Sequence, residues 1–158
     1  MSAKDAFFKK VDENIQVQKS SQEAFAMEVS AFQEETNALI KEIKSWFDGS
    51  PITAAIGGVS LLARDTRFSV QALRLQNGDK VLSIEAEGFE YFGVTGVLKV
   101  TLDDPSRAPR RSEFSIHWKD SLSNLSGWVI ASKPFANIPA QHVEFNQENF
   151  FNKISAFA

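Results

Sequence analysis

The sequence predicts an α+β fold, helices first and an antiparallel sheet after. Residues 1–47 carry apolar side chains at helical spacing among Glu, Gln, Ala and Lys. The composition then changes at "DGSP", residues 48–51. Beyond it, short runs alternate apolar and polar residues with period two, bounded by Gly, Pro and Asn.

The helical part is read from its seam. With Phe25 at heptad position d, the a and d positions are Phe8, Val11, Ile15, Gln18, Gln22, Phe25, Val29, Phe32, Thr36, Leu39, Ile43 and Trp46. The seam turns polar in "QVQKSSQ", residues 16–22, where Ser20 and Ser21 are of the helix-capping type. The reading is therefore a helix near 3–17 and a longer one near 21–47, with one continuous helix as the alternative. Asp48-Gly49-Ser50-Pro51 is the stop, because Gly ends a helix left-handed and Pro cannot continue it.

"ITAAIGGVSLLA", residues 52–63, is apolar and ambiguous. Gly57-Gly58 disfavours a helix interior by about 1 kcal/mol per Gly relative to Ala, so a turn-and-strand or a short helical turn both fit. A sheet of about five strands follows, near 67–131. Phe68, Val70 and Ala72 share one face of the first strand, and Asn77-Gly78 marks a hairpin. The return strand faces Leu82, Ile84 and Ala86 inward. "FEYFG" and "GVLKVTLD" form the next pair, the latter with Leu98, Val100 and Leu102 inward. "DPSRAPRR" is a loop; "EFSIHWK" directs Phe114, Ile116 and Trp118 inward, and "GWVIAS" is the last strong strand. Pro134 and Pro139 make "KPFANIPA" irregular. A short helix near 146–156, capped by Asn146, carries Phe150, Ile154 and Phe157 on one side. The apolar sheet face needs a cover, and the long helix is the obvious one.

The length of 158 residues fits one domain over 1–158, with 1–19 an arm that projects or folds back. The absence of cysteine excludes disulfides, thiolate metal sites and cysteine nucleophiles. It also suits a reducing cytoplasm, the expected location. A net charge of −3 disfavours nucleic-acid binding. No apolar run approaches the roughly 20 residues that cross a bilayer, and the start holds no signal-peptide-like run.

Chemistry-bearing residues are few. His117 and His142 lack H-x-x-x-H or H-x-H spacing and read as surface histidines, so no metal or cofactor is expected. "GGVS" is neither a nucleophile elbow nor a phosphate loop. Glu85, Glu87 and Glu90 read as a charged outer face. Asn124-Leu125-Ser126 matches the glycosylation acceptor pattern by chance. Arg107, Arg110 and Arg111 sit in the Pro-bracketed loop, where guanidinium forks suit an acidic partner and the plainer reading is a solvated loop.

The apolar stripe is either a cover for the sheet or a contact for another chain. A six-residue strand spans roughly 20 Å and a helix over 21–47 about 40 Å, so Phe7, Phe8, Val11 and Ile15 extend the stripe past the sheet. The expectation is a non-enzymatic, cytoplasmic protein-binding module, such as a secretion chaperone, an adaptor or a toxin-neutralising immunity protein. Its contacts are Phe7, Phe8, Val11, Ile15, Arg107, Arg110 and Arg111, and its partner is another protein or a second copy in a homodimer. The alternative is a sheet bent at Gly88, Gly93 and Gly96 that encloses a small apolar ligand beside the helix. A third reading, an enzyme using Glu85, Glu87, His117 or Arg111, has no motif spacing to tie those residues together.

Overall fold

The computed structural model describes residues 2–91, 94–120, 125, 127–133, 137 and 139–158. One helix, α1 (Ala3–Ser45), spans the region expected to hold two. Its start is a capping box: the Ser2 hydroxyl accepts from the Asp5 N–H (3.1 Å) and the Asp5 carboxylate from the Ser2 N–H (3.3 Å). No break occurs at 16–22, because exposed Gln, Lys and Ser weaken a seam without breaking a backbone; only Gly or Pro would have done so. The expected stop operates, with Gly49 left-handed at φ 77°.

The sheet has seven strands rather than about five: β1 (Thr53–Ala63), β2 (Thr66–Asn77), β3 (Lys80–Tyr91), β4 (Val94–Asp103), β5 (Arg111–Asp120), β6 (Trp128–Ser132) and β7 (Gln141–Glu144). They lie side by side in chain order, each antiparallel to the next. The two additional strands, β1 and β7, are the sheet's edges, where Gly57-Gly58 and the nearby Pro139 are tolerated. The β1–β2 turn consists of Arg64 and Asp65, both at positive φ (47° and 61°), and lacks the glycine that would have announced it. "FEYFG" continues β3 past a register shift between Ala86 and Gly88; its Phe92 and Gly93 lie outside the described residues. So do Asn124 and Ser126 of the glycosylation pattern, and residues 134–136 and 138 of the irregular segment. The chain ends in α2 (Gln147–Lys153), capped by Asn146, and a 3-10 turn (Ser155–Phe157).

The helix is the lid of the sheet. Val29, Phe32, Leu39, Ile40 and Ile43 form one core with Leu75, Leu82, Ile84, Leu98, Val100, Ile116 and Ile130. Phe32 is central, its ring centroid 5.2 Å from that of Phe89, 5.6 Å from Trp118 and 6.4 Å from both Phe68 and Trp128. It sits on Gly96, where a Cβ would come within 2.6 Å of the ring. β2 pairs with β3 only from Leu73 onward. Its buried positions shift there, from Phe68 and Val70 to Leu73 and Leu75, so Ala72 is only half-buried. The helix meets the backbone of β2 ahead of this point: Asn37 accepts from the Gln71 N–H (2.9 Å) and Gln33 donates to the Ser69 carbonyl (2.9 Å).

Candidate functional site

The first candidate is the front of α1. From residue 3 to 24 every position is exposed except the half-buried Val11. At 1.5 Å per residue these 22 residues extend about 33 Å beyond the packed part of the helix. Phe7, Phe8, Val11 and Ile15 are thus brought together on the arm, which projects rather than folding back. The rings of Phe7 and Phe8 meet edge to face at 5.3 Å.

At the base of the arm a groove of about 620 Å³ runs along Ser21, Gln22, Phe25, Ala26 and Val29 on one side and Arg64 and Thr66 on the other. Arg64 spans it, its guanidinium 4.6 Å from the Phe25 ring centroid and paired with Glu90 at 2.8 Å. A second groove, of about 470 Å³, lies along the other flank of α1 between Leu39, Trp46, Trp128 and Phe145. Both grooves lie beside the helix; beneath it Phe32 packs against the rings of Phe68, Phe89, Trp118 and Trp128.

The arginine loop lies elsewhere. It follows the end of β4, beside the start of β3 and the β2–β3 turn, whereas the arm leaves past the β1–β2 turn and the end of β5. The two expected contact regions are therefore at opposite ends of the sheet. Arg110 and Arg111 both approach the Asp103 carboxylate, at 2.7 and 3.7 Å, which offsets part of their charge. Beside them Asp104 accepts from the Ser106 hydroxyl (2.7 Å) and N–H (3.0 Å); these bonds, the hydroxyl first, hold its carboxyl below the usual carboxylate range. Of the acidic group, Glu85 lies opposite Lys99, and Lys99 pairs with Glu113 at 3.3 Å, so this outer face mixes both signs.

The third cluster is one that sequence spacing did not show. His117 on β5 and His142 on β7 converge on one carboxylate, Asp120. His117 Nδ1 lies 2.9 Å and His142 Nε2 3.4 Å from Asp120 Oδ2. Alternation alone would place Asp120 on the helix side with Ile116 and Trp118. Lys119, left-handed at φ 53°, reverses it. Lys119 turns to the helix, 3.1 Å from the Glu28 carboxylate and over the Trp118 ring, and Asp120 joins His117 on the outer face. The Asp120 side chain has no exposed surface. Val97 and Val129 pair with His117 and Ala131 with His142; all three are buried and form an apolar floor. The histidines read as separate surface residues because their meeting depends on β7, which the prolines masked, and on a backbone reversal no motif signals.

Among the described residues no helix is long and apolar enough to cross a membrane. The chain matches no known family model, no curated protein and no solved structure.

Proposed function

We propose that this protein is a non-enzymatic protein-binding module that uses the arm of α1 to pair with a second copy of itself. The observation that carries the reading is the exposure of large apolar side chains on a free helix: Phe7 63%, Phe8 53%, Ile15 53% and Val17 67%. A helix of this length without sheet or partner is marginal in water; the docked half of α1 nucleates it, and a partner helix would complete it. The charges favour a second copy lying antiparallel. Residues 3–11 hold Lys4, Lys9 and Lys10 against Asp5, a net +2; residues 12–24 hold Asp12, Glu13 and Glu23 against Lys19, a net −2. Antiparallel arms set each positive half on a negative one. The apolar stripe gives the affinity and the charges the orientation.

Sedimentation equilibrium of the full chain tests this. The unaltered protein is expected to show a concentration-dependent dimer, and the Phe8→Glu/Ile15→Glu double variant to remain monomeric with an unchanged melting temperature. A monomer at all concentrations, or a dimer that survives the double substitution, would overturn it.

A further inference from the structure

We propose that His117, Asp120 and His142 bind a divalent transition-metal ion of the zinc class on the outer face of the sheet. The donor set argues for that class. Two imidazoles and one carboxylate suit zinc and its neighbours, whereas calcium and magnesium prefer all-oxygen shells. The geometry fits. Zinc bonds of about 2.0–2.1 Å set tetrahedral donor–donor edges of about 3.3 Å, and the two edges to Asp120 are 2.9 and 3.4 Å. One donor atom from each residue lies within 4.8 Å of the other two, so rotation of the rings closes the third edge. The rings stand at 61° with centroids 6.1 Å apart, edge-on rather than stacked, so their nitrogens are free to converge.

Three further features favour a site over a chance meeting. The chain has two histidines in 158 residues, and both reach the same carboxylate from different strands. That carboxylate is buried, so its oxygen is fixed in place where the two imidazoles meet it. It is held on this face by a non-glycine residue at positive φ, a conformation that costs free energy and clusters at functional positions. The apolar floor of Val97, Val129 and Ala131 excludes water from below. The rings keep 17% and 25% of their side-chain surface exposed, so an ion can reach the cluster from solvent. Bound there, the ion ties the edge strand β7 to β5 across β6. The site is independent of the arm.

Titration of the full chain with Zn²⁺, followed through the imidazole NMR signals, is the test; two histidines mean that every such signal is a proposed ligand. Both rings are expected to respond together and saturate at one equivalent, while Mg²⁺ moves neither. Loss of an outer-shell partner weakens metal sites 10- to 100-fold, so His142→Ala, which removes a direct ligand, should weaken binding by at least about 100-fold. Rings that stay unmoved at one equivalent, or respond independently of one another, would overturn the proposal. So would a His142→Ala variant that binds about as tightly as the unaltered chain. The titration of the unaltered protein decides by itself if that variant fails to fold, and Asp120→Asn gives a second comparison with the same expected loss.

Discussion

Gly96 and Phe32 show how one residue fixes the approach of the helix to the sheet. The ring rests on the bare Cα of Gly96, and any side chain there enters its volume. Gly96→Ala is expected to destabilise the fold by about 1–3 kcal/mol, the usual cost of overpacking. Phe32→Leu in the same chain should recover part of that loss, because the two residues share one space. Chemical denaturation of the four chains of the cycle measures the coupling. Asp104 gives a pH signature at the same scale. Its carboxyl titrates lower in the folded chain than in the unfolded one because the ionised form accepts two bonds from Ser106. The stability it contributes is therefore complete above the unfolded carboxylate value, about 3.9. It is lost as pH falls through the lower folded value. Ser106→Ala should lower stability at neutral pH, and the gap between the acid unfolding curves of the two proteins should narrow progressively as pH falls below about 4.

For single elements, α1 is two things joined end to end: a packed lid from Phe25 onward and a free arm before it. Proline costs about 3 kcal/mol in a helix interior, yet at Ser20 that cost falls on residues that hold nothing else in place. Ser20→Pro is expected to remove the helical signal of the arm in circular dichroism while shifting the main unfolding transition by less than about 0.5 kcal/mol. A large loss of global stability would mean that the arm packs on its own sheet. The elements that were legible in the sequence are those with a clear period or a strong punctuation mark: the seam of α1, its stop at Gly49, the hairpin at Asn77-Gly78 and the Asn146 cap. The false break at 16–22 arose because polar seam residues change what a helix packs against, not whether it is a helix. β1 and β7 were obscured because edge strands tolerate Gly and neighbouring Pro. Of the candidate contacts, Phe7, Phe8, Val11 and Ile15 were visible as an overlong stripe. The His117–Asp120–His142 cluster was not, since it needs a seventh strand and the reversal at Lys119.

Across the whole molecule, the candidate surfaces lie apart. The lid and sheet make a closed core; the arm leaves at one end, the arginine loop sits at the other, and the histidine cluster lies on the face away from the helix. Asp103 offsets part of the Arg110 and Arg111 charge in place, whereas Phe7, Phe8 and Ile15 stand exposed on the arm. Antiparallel pairing further predicts that Lys9→Glu/Lys10→Glu, which makes both halves of the arm acidic, weakens self-association. The weakening should shrink in 1 M salt, where the screening length falls to about 3 Å.

The proposed self-association requires residues 3–24 to be a helix with no role in holding the fold together and with an apolar face open to a second copy. Amide hydrogen exchange of the full chain, read at low and high protein concentration, is the decisive experiment. Rapid exchange is expected along residues 3–24 in dilute solution, marked protection there in concentrated solution, and equal protection of β2 to β5 in both. An arm protected at every concentration, or one exchanging rapidly however concentrated the protein, would contradict it.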